Sequence, residues 1–553
     1  MNSNKLRIGL LINSFSVPAW AYKMIEIINL SDHSEIVLTV RKESVETLKK
    51  PLLKSVWDQR KNLIYTFYQK FEDRCHSVKF DAFESKDISH LLKCKDIVVK
   101  PKETKFSHRF LDDDIEKIKS ENIDVLIRIG FKILRGDILK CSKYGVWSFH
   151  HGDNSVNRGG PAGVWEVFEK WDETGVLLQI LTEDLDNGVK LAEGFSKTDQ
   201  SSITRNKNNY YWKALALIPR KLSELHTLGE VKFIENVNKI NSTPYFYYNK
   251  LFTYPSNKEA LKGVWNIFYG NLSKKITNYF FFEQWILMFK LEKTEKYSKS
   301  FFRFKKILPP KDRFWADPFI IERNDKFFIY FEELLYSENK GKIALIEMDK
   351  EGNYDKPKPV LERDYHLSYP FIFEEDNELF MIPETAQNRT IELYKCTEFP
   401  DKWELVKTLM DNIYAVDTTI FKKDNKYWLF CNIKENKGAS SFDELFLFYS
   451  DNLITNDWIP HPFNPIVSDV KSSRPAGNIF IENDRIFRPS QNCSKRYGYG
   501  MKIKEIITID EENYKEIKVQ SIYPNWNKKL LAMHTLNNSG RLTVIDASVK
   551  RRK

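Results

Sequence analysis

A hairpin unit recurs without gaps four times in the second half of this 553-residue chain. The copies begin at Phe319 (FIIERNDKFFIYFE), Phe371 (FIFEEDNELFMIPE), Thr419 (TIFKKDNKYWLFCN) and Asn478 (NIFIENDRIFRPSQ). Each is an apolar strand, an Asn/Asp pair and a second apolar strand. Asn and Asp accept the left-handed backbone that a two-residue hairpin turn demands. The turns start at Asn324, Asp376, Asp424 and Asn483, in steps of 52, 48 and 59 residues. A hairpin repeating at about 50 residues predicts a β-propeller, because each blade is one supersecondary unit that buries its faces only against its neighbours. A weaker fifth copy, His534 to Asp546, brings the expected number of blades to five.

The repeat sets polar residues in register. Seven residues before each turn stand Asp317, Tyr369, Asp417 and Ala476; eight after it stand Glu332, Glu384, Asn432 and Gln491, with Asp546 at the same offset in the fifth copy. Equivalent positions face equivalent directions, so some of these side chains point into the central channel. Carboxylates there are costly unless paired or hydrogen-bonded. They form either a structural ring between blades or a sugar or cation site at one end of the channel.

The first half has another rhythm. Strand-like Ile8 to Ile12, Glu35 to Val40, Val125 to Ile129, Gly145 to Phe149 and Gly175 to Leu181 alternate with helical stretches, among them Ala19 to Asn29 and Asp112 to Lys119. That alternation predicts a mostly parallel sheet. Asn206 to Leu225 reads as one amphipathic helix closing the domain. The expected organisation is an α/β domain over 1–235, a linker over 236–284 rich in Asn, Tyr and Phe, and an all-β propeller over 285–553.

Composition narrows the class. Hydrophobic residues at 42% and charged residues at 29% fit a folded, soluble chain, and 14% aromatics fit sugar-contacting surfaces or aromatic-rich β-structure. The net charge of +10 is spread among acids, and only Lys550-Arg551-Arg552-Lys553 forms a basic run. A nucleic-acid binder would carry a basic stripe, so none is expected as a partner. The six cysteines include no Cys-x-x-Cys pair, which predicts neither a zinc site nor a disulfide framework and fits a reducing, cytoplasmic setting. No apolar run reaches membrane-spanning length, and the run ending at Ile12 reads as a buried strand.

The sharpest local constellation lies between Gly145 and Gly160. A strand ends at His150, a polar loop follows, and Gly159-Gly160-Pro161 stops it before a helix. Further on comes Thr182-Glu-Asp-Leu-Asp-Asn-Gly188. An Asp paired with a strand-end His fixes its tautomer, and such a His takes a proton from an attacking amine and stabilises an oxyanion.

This pattern resembles the formyltransferase family, which includes methionyl-tRNA and sugar N-formyltransferases. The resemblance covers residues 5 to 225 and implies a Rossmann-like α/β domain using 10-formyltetrahydrofolate. It assigns catalysis to His150, Asp186 and Ser148, and cofactor contacts to Gly130, Phe131, Arg158 and Gly159. Ser148 stands where the family has an Asn that donates to the formyl oxygen.

The second half resembles the propellers of family 43 glycoside hydrolases and the N-terminal region of plant glucosamine inositolphosphorylceramide transferases. The residues concerned are Phe314-Trp-Ala-Asp317-Pro318, His366-Leu-Ser-Tyr-Pro370, Pro383-Glu384-Thr385, Val416-Asp417, Ser473-Arg474-Pro475 and His534-Thr535. The resemblance gives Asp317 the place of a general base and Asp417 that of a carboxylate tuning its partner, while Ser473-Arg474 replaces the expected Glu. Arg474 is accordingly expected to hold an anionic group of the ligand. Asp317, Glu384, Asp417, Arg474 and His534 are the expected substrate residues, and no metal is expected.

The leading expectation is transfer of a formyl or related group to an amino sugar, nucleotide-sugar or glycoconjugate in surface polysaccharide biosynthesis, with the propeller holding the sugar. The alternatives are a glycoside hydrolase or glycosyl-transferring propeller beside a non-catalytic formyltransferase-like domain, and a non-catalytic glycan binder.

Overall fold

A computed structural model describes residues 5–43, 60–76, 78–184 and 187–553. The chain divides into two compact units, Met1–Asn271 with Asn436–Ala439, and Leu272–Glu435 with Ser440–Lys553.

The first unit is built on a seven-stranded sheet. Its order is Val189–Lys197, Glu173–Ile180, Val146–His150, Val125–Arg128, Leu6–Ile12, Ser34–Lys42 and Lys95–Val99. Leu6–Ile12 runs parallel to both its neighbours, and the two strands at one end, Glu173–Ile180 and Val189–Lys197, are antiparallel. Ile8, Leu10, Leu11 and Ile12 are fully buried, as a strand covered on both faces requires. The stretch expected as one helix is two, Ile203–Ala214 and Leu217–Ile240. Pro219 is the reason: inside a continuous helix its ring would strike the carbonyl four residues back, whereas the first turn of a new helix accepts it. The side chain of Ser202 caps the first of the pair by accepting from the Arg205 N–H.

The stretch 236–284, expected as a linker, carries the end of Leu217–Ile240, a 24-residue helix Asn257–Phe280, and the start of the strand Phe281–Leu291. Trp285 to Phe289, at the start of the expected propeller, lies in the strand Phe281–Leu291.

The second unit contains five sheets, and the arrangement is propeller-like. Four are consecutive four-stranded meanders whose first strands are Arg313–Arg323, Ser368–Glu375, Ala415–Lys423 and Phe480–Glu482. The fifth is assembled from both ends of the unit. Phe281–Leu291 pairs with Leu542–Arg552 from Phe281↔Arg552 to Leu291↔Leu542, and Lys305–Ile307, Leu530–Ala532 and Leu536–Ser539 complete it.

All four Asn/Asp turns take the left-handed backbone at both residues, with φ from +50° to +62°. This is the turn whose twist matches the flanking strands. Blades one to three share a second device. In each first strand the ladder slips by one residue, between Ala316 and Phe319, Ser368 and Phe371, and Val416 and Thr419. The residue at the start of each bulge has positive φ: Asp317 +52°, Tyr369 +42° and Asp417 +53°. A bulge re-aims a side chain. Three non-glycine residues in this region mark strain held by the surrounding structure, and such strain gathers at functional sites.

Candidate functional site

The three bulges bring their side chains to one buried cluster. Tyr369 crosses to the fourth blade, where its hydroxyl accepts the Gly477 N–H at 2.9 Å and meets Thr419 Oγ1 at 3.0 Å. Blade four has no room for a side chain of its own at this level. Gly477 has φ +118°, and a Cβ there would lie 2.3 Å from the Leu536 carbonyl oxygen.

Asp417, 1% exposed, is gripped by Arg474. The guanidinium donates from Nη2 to Oδ1 at 2.9 Å and from Nε to Oδ2, and Gln491 Nε2 adds a third donor at 2.8 Å. The expectation that Arg474 holds an anion of the ligand is corrected by this geometry, because its two-pronged face is occupied by Asp417. The hydroxyl of Ser473, its neighbour, points elsewhere and donates to the carbonyls of Phe442 and Asp469.

Glu384 is half-buried and lies 3.6 Å from Arg474 Nη2. Its Oε2 is shut off from solvent and finds no hydrogen-bond donor among the described residues. Burial, and then the nearby Asp417 carboxylate, hold the Glu384 carboxyl above the usual range, against the lowering pull of Arg474.

Asp317 accepts from the Thr535 hydroxyl at 2.8 Å, and its backbone N–H donates to Asp546 at 3.0 Å. Burial pushes its carboxyl up to about 7; His534 opposes the shift and Asp417 and Asp546 reinforce it. His534 Nε2 is 3.6 Å from Asp317, and its Nδ1 is 2.5 Å from Asp546 without hydrogen-bond alignment. Burial works against the imidazolium, yet the carboxylates of Asp546 and Asp317 outweigh it and raise His534 to about 9. His534 is 1% exposed and stacks beneath Trp285 at 4.1 Å between ring centroids. Expected as a substrate residue, it is covered by Trp285 and supports Asp317 from behind.

Asp317, His534 and Asp546 offer ligand atoms within 4.8 Å of one another. Asp546 already accepts the backbone N–H groups of Asp317, His534 and Thr535.

Half-buried side chains that touch members of the cluster are aromatic: Trp285 on His534, Phe442 and Tyr497 beside Arg474, and Tyr414 near Glu384. Tyr497 lies edge-on to His534 at 4.9 Å, and Arg474 sits over its ring, also at 4.9 Å. His366 Nδ1 accepts the Gly341 N–H at 2.9 Å, which leaves Nε2 to face Glu332 at 3.1 Å. Burial lowers the His366 ring, but its hydrogen bond to Glu332 wins and the shift is upward. Tyr497, Trp285 and Phe442 lie outside the hairpin repeat, so register could not find them.

The residues singled out in the first unit are largely committed to structure. Ser148, 2% exposed, receives a hydrogen bond from Arg128 at 3.0 Å. His150 Nε2 lies 3.0 Å from the Asn157 carbonyl oxygen inside the unit. Asp186 lies outside the described residues. A Cβ on Gly130 would sit 2.5 Å from the Asn13 nitrogen, and the Phe131 N–H donates to Asn13 Oδ1 at 2.9 Å. Phe131 is buried against His108 and Phe110. Gly159 is pressed on the Phe252 carbonyl, and Arg158 packs its guanidinium on Tyr247 at 4.7 Å. Arg158 also lines a cavity of about 550 Å³ with Asp153, Asn154, Lys190 and Glu193.

The family model described as glucosamine inositolphosphorylceramide transferase 1, N-terminal, matches residues 308–545. The glucosamine inositolphosphorylceramide transferase 1 of Oryza sativa subsp. japonica is 34% identical over 209 residues, covering 37% of this chain and 28% of that protein. The Arabidopsis thaliana protein of the same name is 30% identical over 209 residues, covering 37% of this chain and 27% of its own. The chain thus spans little more than a quarter of the length of these relatives. A methionyl-tRNA formyltransferase of Prochlorococcus marinus (strain MIT 9215) is 35% identical over 131 residues, 23% of this chain and 38% of that protein. Among solved structures, a family 117 glycoside hydrolase from Zobellia galactanivorans covers 49% of this chain and 90% of its own at 10% identity, with a TM-score of 0.32.

Formyl transfer as the function is overturned by these findings. The family model and the better-matched relatives are glucosamine inositolphosphorylceramide transferases, and the formyltransferase similarity is confined to 23% of the chain.

Proposed function

We propose that this protein is a glycosyl-transferring enzyme whose propeller takes the sugar of a glycoconjugate, with the first unit, a Rossmann-like α/β domain, not contributing to the chemistry. One observation carries the reading: two carboxyl groups with raised proton affinity, Glu384 and Asp317, share a cluster lined by half-buried aromatic side chains. Chemistry at a glycosidic bond needs one carboxyl as acid and another as base or nucleophile. Protonated Glu384 donates to the departing oxygen. Asp317, close to half ionised at neutral pH, accepts the proton of the acceptor hydroxyl. Asp417 anchors Arg474, whose charge steadies the cluster as the proton leaves Glu384. Aromatic faces such as Trp285 and Tyr497 suit the apolar face of a pyranose.

The names of the relatives point to glucosamine as the sugar and an inositolphosphoryl lipid as the acceptor. The test is to incubate the full chain with UDP-N-acetylglucosamine and an inositolphosphorylceramide and to look for the glycosylated lipid by mass spectrometry. Asp317→Asn and Glu384→Gln are each expected to lower turnover by at least ~100-fold, the lower end of the range for an acid–base group. Glucosamine binding by calorimetry with no turnover would replace the transfer reading with that of a glycan-binding module.

A further inference from the structure

The helix Asn257–Phe280 carries an apolar stripe that is exposed among the described residues. Leu261, Trp265, Phe268, Leu272, Ile276 and Tyr279 recur at steps of four, three, four, four and three, so they fall on one face. All six are exposed, Trp265 to 63% and Tyr279 to 74%. The opposite face is the one that docks. Ala260, Gly263 and Ile267 are buried, and Gly263 lies so close to Phe168 that a Cβ would come within 2.2 Å of the ring. A helix whose core-facing side is already satisfied has no folding reason to line its other side with Trp, Phe and Tyr.

The charge around the stripe is mostly positive, with Glu259 on the helix and Glu283 opposite Lys550 as the nearby acids. The helix holds Lys258, Lys262, Lys274 and Lys275 against a single acid, Glu259, which is engaged by Ser256 and Lys250. At the end of the helix the strand register sets Phe281 opposite Arg552 and Phe282 opposite Arg551, and the Lys553 N–H donates to the Phe280 carbonyl at 3.1 Å. The basic run Lys550 to Lys553 is thereby fixed beside the end of the aromatic stripe. Lys553 and Lys311 also flank an apolar cavity of about 420 Å³ lined by Phe282 and Tyr336.

We infer that the part of this face in the second unit, Leu272, Ile276 and Tyr279 with the basic run Lys550 to Lys553, docks on the surface of an anionic lipid bilayer, the apolar side chains in the headgroup layer and the basic run on the phosphates. An exposed Trp/Tyr/Phe/Leu face flanked by lysines is what an interfacial helix needs. No helix among the described residues is long and apolar enough to cross a membrane, so this one lies on the surface rather than across it. A second copy of the chain is the poorer occupant, because it would bring the same positive charges face to face. The inference does not depend on the glycosyl-transfer reading.

Flotation of the full chain with vesicles tests it. Vesicles of phosphatidylcholine with phosphatidylglycerol are expected to carry the protein, and phosphatidylcholine alone to carry much less. Leu272→Glu with Ile276→Glu, and separately Lys550→Gln with Arg552→Gln and Lys553→Gln, are each expected to cut partitioning at least ~tenfold. All these positions are outside the core, and unchanged circular dichroism melting confirms that the variants fold. Flotation with neither vesicle, or equally with both, overturns the proposal. A dimer in light scattering that Leu272→Glu with Ile276→Glu dissolves overturns it in favour of a second copy.

Discussion

Arg474 and Asp417 come from different blades, 57 residues apart, and close a buried two-pronged ion pair, Nη2 to Oδ1 at 2.9 Å. The Asp417 side chain is 2% exposed and that of Arg474 8%. Arg474→Leu or Asp417→Leu alone leaves a buried charge without a partner and is expected to cost about 3–5 kcal/mol. The double variant should recover most of the loss. Urea denaturation of the three variants measures this, and equal losses in single and double variants would contradict it.

Tyr369 ties the cluster to the fourth blade through its hydroxyl. Tyr369→Phe keeps the ring and removes the acceptor of the Gly477 N–H. A buried donor without a partner costs about 1–3 kcal/mol. A midpoint shift of that size, with an unchanged denaturant slope, is the expected result.

Asp317 and His534 are two of the raised groups that set the pH dependence. The native state holds the proton of Asp317 up to about 7, against an ordinary value of 3.8. Native Asp317 therefore binds more protons than the unfolded chain between these limits, and stability falls as pH rises from about 4 to about 7. His534 behaves alike in a higher window: its contribution is complete below 6.5 and is lost as pH rises to about 9. Denaturation at a series of pH values is expected to show both declines. Asp317→Asn should flatten the lower window and His534→Gln the upper.

The fifth blade is closed by the two ends of the second unit, so its last strand binds the ring together. Removing residues 542–553 strips the partner from Phe281–Leu291, Leu530–Ala532 and Leu536–Ser539 at once. Loss of the cooperative thermal transition of the propeller is expected. A truncated chain that melts as sharply as the intact one would show that the strand is dispensable.

Trp285 and Tyr497 are expected to contribute to sugar binding. Each replacement by Ala should weaken glucosamine binding by calorimetry about two- to tenfold, the range of a single aromatic contact. Unchanged affinity in both would place the sugar elsewhere.

What the sequence alone determined is what local chemistry controls. The Asn/Asp pairs dictate left-handed turns, the apolar runs between them dictate strands, and their spacing dictates a repeating blade. The polar register at Asp317, Asp417 and Glu384 followed from the same periodicity, and the buried strand at Ile8 from the strand–helix alternation of the first half. Tertiary structure decided the rest, because it depends on groups far apart in the chain. The side chain that meets Arg474 is chosen by a neighbouring blade, so an expected ligand-binding guanidinium is an internal ion pair. His534 is charged because Asp317 and Asp546 converge on it from distant strands, and it is covered because Trp285, on the first strand of the second unit, belongs to the closing blade. The mouth residue Tyr497 has no counterpart in the repeat, and only the fold brings it beside Arg474.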